Sequence, residues 1–84
     1  MIAAYPEFSK MKDVEKAILR FLKEHDIWMT PNNIAKNTGY SRGYIQQECR
    51  GLLNDGYIQS DDQPGDPFYR ITEDGREYLE STNN

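Results

Sequence analysis

At 84 residues the chain has room for one domain with a thin core, because at this size roughly 60–65% of the unfolded surface is buried on folding. A hydrophobic content of 37%, with six Tyr, three Phe and one Trp, excludes a disordered chain, while one cysteine and one histidine exclude an intrachain disulfide and the usual zinc clusters. The net charge of −4 is segregated: between Pro31 and Asn54, Lys36, Arg42 and Arg50 stand against Glu48 alone, so that stretch carries +2 and the remainder −6.

No apolar run approaches the ~18 residues of a membrane span, and Met1-Ile2-Ala3-Ala4-Tyr5-Pro6 lacks the basic end and long apolar stretch of a signal peptide. A cytoplasmic protein with no membrane association is expected. From Lys10 to His25, Met11, Val14, Ala17, Ile18, Phe21 and Leu22 recur at three- and four-residue steps among charged residues, which predicts an amphipathic helix. Ser9 or Asp13 is its expected cap, and His25 at its end suits the negative pole of the helix dipole rather than a metal or catalytic role. Ile27-Trp28-Met29 is a short β-prone run, with Trp28 read as core.

Thr30-Pro31 pairs an N-cap with proline at the first helical position and so opens a second helix, with Ile34 and Ala35 inward. It stops near Thr38, because Gly39 accepts the left-handed conformation that follows a helix. After the turn at Gly39-Tyr40, Ser41 caps a third helix with Ile45, Cys49, Leu52 and Leu53 as its apolar stripe, and Gly56 ends it. Cys49 on that stripe reads as a small buried hydrophobe rather than a redox sensor.

Tyr57 to Ser60 and Phe68 to Ile71 read as two strands joined by Asp61-Asp62-Gln63-Pro64-Gly65-Asp66-Pro67, with Pro64-Gly65 suited to the centre of a type II turn. Thr72 caps a last helix through Glu80 that presents Tyr78 and Leu79 inward, and residues 81–84 fray. The expected organisation is an N-terminal arm over 1–9, a domain over 10–80 and a tail over 81–84. The fold class is mainly α with a small β-hairpin. No glycine-rich phosphate loop, Cys/His pairing or pocket-bound acidic pair supports an enzyme, a cofactor or a metal.

The four-residue turn between two short helices is a helix-turn-helix signature, and the second helix of such a pair fits the DNA major groove. Here the sequence resembles the winged-helix repressors of archaea, particularly those of haloarchaea and their viruses, and more broadly regulators of the multiple-antibiotic-resistance type. The likeness spans about Asp13 to Glu80. It is carried by Met29-Thr30-Pro31, Ile34-Ala35, Asn37-Thr38-Gly39-Tyr40-Ser41-Arg42, Tyr44-Ile45, Leu52-Leu53, Gly56-Tyr57-Ile58, Tyr69-Arg70-Ile71-Thr72, Gly75 and Tyr78-Leu79.

The resemblance implies a winged helix-turn-helix repressor whose third helix, Ser41 to Asn54, reads bases while the hairpin wing lies along the backbone or in the minor groove. Its DNA face is then Ser41, Arg42, Tyr44, Gln46, Gln47 and Arg50, joined by Thr30, Asn32, Tyr40 and Arg70. Arg and Gln have the bidentate geometry that guanine and adenine edges demand, and Ser and Tyr hydroxyls bind phosphate. Tyr40 serves equally as an aromatic brace between the helices. The wing departs from the family pattern, with Asp61, Asp62 and Asp66 where basic residues are usual. It therefore either stays off DNA, approached only by Gln63, the Gly65 backbone or Arg70, or serves a winged helix that binds protein and no DNA, or reflects the acidic surfaces of the resembling high-salt proteins, a lean that ten Lys and Arg residues make weak. A homodimer on a pseudo-palindromic site, reading helices about 34 Å apart, is the expected assembly. The segment Met1 to Phe8 and the helix around Tyr78 and Leu79 are its candidate surfaces, the former equally suited to packing on its own domain.

Overall fold

Apolar residues at helical spacing draw the first helix across the others, and in the computed structural model this gives α1 (Asp13–His25), α2 (Pro31–Thr38), α3 (Arg42–Asn54), β1 (Ile58–Asp61), β2 (Phe68–Ile71) and α4 (Glu73–Ser81). The structure describes residues 11–61, 65 and 67–81. The Ser9 cap, Lys10, the arm over 1–9, Asp62, Gln63, Pro64, Asp66 and residues 82–84 of the tail lie outside them. Met11 and Lys12 precede α1 and are not helical, contrary to the helix expected from Lys10, and Ser81, expected to fray, is the last residue of α4.

The buried residues of α1 are Val14, Ile18, Leu19 and Leu22, and with Met11 they meet Ile34 and Ala35 of α2, Ile45, Cys49 and Leu52 of α3, Ile58, Tyr69 and Ile71 of the hairpin, and Leu79 of α4. Full burial of a Leu or Ile is worth about 1.5–3 kcal/mol, so the three fully buried residues Ile18, Leu19 and Leu22 make α1 the spine of the core. Leu19 was not on the expected stripe, and Ala17 and Phe21 from that stripe are only half-buried. Asp13 is the first helical residue rather than the cap. Lys12 holds the cap position, and the Glu15 carboxylate accepts its backbone N–H at 3.1 Å.

Both helix ends flanking the turn follow the local chemistry. The Thr30 hydroxyl accepts from Asn33 N at 3.2 Å, Pro31 opens α2, and Gly39 closes it at φ 86° with its N–H on the Ala35 carbonyl. The Ser41 hydroxyl accepts from Tyr44 N at 3.2 Å and opens α3.

At the far end of α3, Gly56 has φ 84° and donates to the Leu53 carbonyl while Tyr57 N donates to Leu52 at 3.0 Å. This left-handed glycine cap occupies the Tyr57 N–H, so β1 starts at Ile58, one residue later than expected. The hairpin pairs Ile58 with Ile71 and Asp61 with Phe68, which places Asp61 in the strand rather than in the turn. Gly65 has the positive φ (97°) expected there.

Of the run Ile27-Trp28-Met29, only Met29 joins the sheet, exchanging two 2.8 Å hydrogen bonds with Tyr69. Trp28 is 37% exposed and not core, because the single-residue bridge turns Met29 inward and leaves its neighbour at the surface. Leu53 is also off the expected stripe, at 36% exposed, and its place is taken by Glu48, at 6%. At 3.6 residues per turn Leu53 and Glu48 each lie about 70° from the line of Ile45, Cys49 and Leu52, on opposite sides, so helical phase alone does not choose between them. Thr72 N and the Thr72 hydroxyl donate to the Tyr57 and Gly56 carbonyls at 3.2 and 2.7 Å, and the same hydroxyl accepts from Gly75 N, so α4 is tied to the base of the hairpin.

Candidate nucleic-acid interface

With Ile45, Glu48, Cys49 and Leu52 turned inward, the helical repeat leaves Gly43, Gln46, Gln47, Arg50, Gly51 and Asn54 on the opposite side of α3. Gln47 and Arg50 are exposed and Gln46 half-buried, while Ser41 and Arg42 are exposed at the helix start. Gly43, Gln47 and Gly51 form one row at four-residue spacing. A Cβ at either glycine would meet nothing within 4 Å, so the interior does not require them.

The remaining candidates fall into two groups. Thr30 and Asn32 sit at the start of α2, Thr30 half-buried as the cap and Asn32 exposed. Tyr40 and Tyr44 pack edge to face at 5.7 Å between ring centres, so Tyr40 braces the turn, and Tyr44, 39% exposed, flanks the outward face. Arg70, by contrast, is engaged at the base of the hairpin: its guanidinium lies 6.0 Å over the Trp28 ring and its Nε 3.5 Å from the Asp26 carboxylate, which also binds Arg76 at 2.8 Å. Asp26 itself takes the left-handed conformation at φ 45° that ends α1, with its N–H on Leu22 O.

Glu48 is the residue that the sequence reading missed, although its spacing, three after Ile45 and four before Leu52, was the available signal. Both of its carboxylate oxygens accept from Lys12 Nζ, at 3.2 and 3.5 Å. The hydrogen bond and the charge of Glu48 raise the Lys12 pKa. Burial pushes the Cys49 thiol up to about 12, so it stands protonated at neutral pH. Among the described residues no group of His, Cys, Asp and Glu is placed to hold a metal, and no helix is long and apolar enough to cross a membrane.

The arrangement is thus a helix-turn-helix with a polar outward face on the second helix, backed by a hairpin whose basic residue is already paired. Residues 4–83 match the winged helix-turn-helix phage repressor family. A repressor protein of the Halobacterium phage phiH is 36% identical over 70 residues, covering 82% of this chain and 79% of that protein. Among solved structures, a regulator of the MarR family from Rhodococcus sp. RHA1 superposes with a TM-score of 0.78 at 16% identity, over 89% of this chain and 54% of its own. A variant of the Staphylococcus aureus regulator MepR bound to an oligodeoxyribonucleotide does so with a TM-score of 0.77 at 18% identity, over 87% and 56%. The chain spans about half the length of these solved structures, and at such identities they bear on the fold alone. The family is one of repressors rather than enzymes, and the resemblance to halophage proteins read from the sequence agrees with it. With four helices and an antiparallel hairpin among its described residues, the chain belongs to the winged helix-turn-helix phage repressor family.

Proposed function

We propose that the chain is a sequence-specific double-stranded DNA-binding repressor that works in the cytoplasm as a homodimer, with α3 in the major groove. The observation that carries this is the outward face of α3: Gln46, Gln47 and Arg50 project from it while the helix is fixed from behind by Ile45, Glu48, Cys49 and Leu52. Gln47 and Arg50 complement the donor and acceptor sets that adenine and guanine edges present in that groove. The hydroxyls of Ser41 and Thr30 accept from their own helices, which leaves their hydrogens to donate to phosphate. Gly43 and Gly51 keep the helix surface bare on either side of Gln47 and allow close approach of the base pairs. Arg70 serves the hairpin through Trp28 and Asp26 and makes no base contact. With Asp61 on β1, the wing stays off the phosphates.

The two-fold mate is expected to use α4 around Tyr78, stacked on Tyr57 at 4.1 Å. The exposed acids of α4, Glu73, Asp74, Glu77 and Glu80, favour the rival reading of a protein-binding winged helix. Titration into labelled duplexes enriched from random DNA, at several salt concentrations, decides between them. The proposal predicts binding that weakens steeply with salt, a loss of about 1–3 kcal/mol in Arg50→Ala for its preferred sequence, and a salt slope lowered by about 1 where the lost contact is to phosphate, as for Arg42→Ala. No binding even at low salt would instead support the protein-binding module.

A further inference from the structure

We propose that the Lys12–Glu48 pair is the positioning device of the reading helix: it fixes the rotation of α3 about its own axis and thereby sets sequence discrimination rather than DNA affinity. This rests on the reading of α3 as the DNA-contacting helix.

Glu48 lies on the apolar side of α3, between Ile45 and Leu52, with its side chain 7% exposed, and both of its oxygens are held by an ammonium whose own side chain is 60% exposed. A carboxylate here is not the cheapest way to fill the space. Only the carboxylate is buried, and its loss of hydration is a cost that an apolar residue of similar size would not carry, so the charge needs a reason other than stability. Directionality supplies one. Ile45, Cys49 and Leu52 hold the helix against the core by close packing, and the Glu48 contact adds a directional constraint to that packing. The hydrogen bond from Lys12 at 3.2 Å has a preferred direction that apolar contacts lack.

Lys12 is a suitable anchor because its backbone is pinned at the start of α1, with its N–H on Glu15 Oε1 at 3.1 Å and its carbonyl accepting from Lys16 N at 3.0 Å. The pair thus ties the middle of α3 to a fixed point on the spine of the core, 36 residues away in the chain. A helix with side chains is about 10–12 Å across, so a 20° roll of α3 moves the tips of Gln47 and Arg50 by roughly 2 Å. That is enough to break a bidentate base contact and too little to take the helix off the phosphates.

The test measures the affinity of the full chain for a duplex selected from random DNA by the wild type and for a scrambled duplex of equal length, at one salt concentration. Glu48→Leu is expected to stay folded and to melt at or above the wild-type temperature, yet to lose at least tenfold in the ratio of the two affinities. Lys12→Gln, at the surface, is expected to lose the ratio likewise, and Lys12→Arg, which keeps the charge, to hold it within about twofold of wild type. A role confined to stability moves the melting temperature and leaves the ratio alone. A ratio within twofold of wild type in folded Glu48→Leu or in Lys12→Gln overturns the inference, and Lys12→Gln decides alone if Glu48→Leu does not fold. A wild type that prefers no sequence refutes the DNA-reading proposal itself, whereas a discriminating wild type with equally discriminating variants refutes only the positioning role.

Discussion

Three helical glycines separate what the fold requires from what it merely permits. A Cβ on Gly75 would collide with the Tyr57 carbonyl and lie 2.9 Å from Ile71 Cγ1, whereas at Gly43 and Gly51 it enters open space. Gly75→Ala is therefore expected to cost about 1–3 kcal/mol through overpacking, and Gly43→Ala and Gly51→Ala to stabilise the chain by about 0.5–1 kcal/mol each. Thermal unfolding of the three variants checks the opposite signs; the same sign at Gly43 and Gly75 would contradict them. Cys49 gives a second prediction. Its folded pKa of about 12 lies above the usual thiol value, so folding stability is untouched below about pH 9 and falls between there and pH 12, as the unfolded chain releases a proton the native chain retains. A Cys49→Ala variant should show a shallower loss over that window, and at neutral pH a thiol reagent should modify Cys49 only as fast as the protein unfolds. Individual burial was the least legible property of the sequence. Leu53 was expected on the buried stripe and Glu48 was not, because a charged residue at core spacing is recognisable only once its partner is known, and Lys12 is remote in the chain. Trp28 looked like core by composition, yet its position was set by a one-residue bridge at Met29 that no local pattern announces.

Elements were far more legible, because their ends are decided by neighbours in sequence. Thr30-Pro31, Gly39 and Ser41 fixed the limits of α2 and the start of α3, and the alternation in Phe68–Ile71 gave β2. Where an end depended on a competing hydrogen bond it shifted: Tyr57 N is drawn to the Leu52 carbonyl, so β1 begins one residue late. Removing a cap should weaken its helix by a predictable amount. Ser41→Ala is expected to cost about 1 kcal/mol in denaturant unfolding, and Thr72→Val somewhat more, because Thr72 both accepts from Gly75 and donates to Gly56. Leu19→Ala, at the centre of α1, should cost about 2–5 kcal/mol, and a loss below 1 kcal/mol would deny α1 its place as the spine.

For the whole molecule, the division of charge matters more than its sum. The stretch from Pro31 to Asn54 carries +2 and ends in a polar helix face, while α4 and the strand residue Asp61 carry acids. A field divided in this way orients a molecule on a polyanion with the basic stretch inward, so the net charge of −4 does not by itself oppose DNA binding. The candidate interface was legible as a set of residue types on a helix-turn-helix; its depth was not, since the engagement of Arg70 with Trp28 and Asp26 and the backing of α3 by Lys12 arise from contacts across the fold. The most direct test of the central claim is to select bound sites from random duplex DNA with the wild type, Gln47→Ala and Arg50→Ala in parallel. The account predicts one enriched motif for the wild type, with each variant losing preference at its own one or two base positions and keeping the rest. Identical motifs from all three proteins, or none from the wild type, would contradict it.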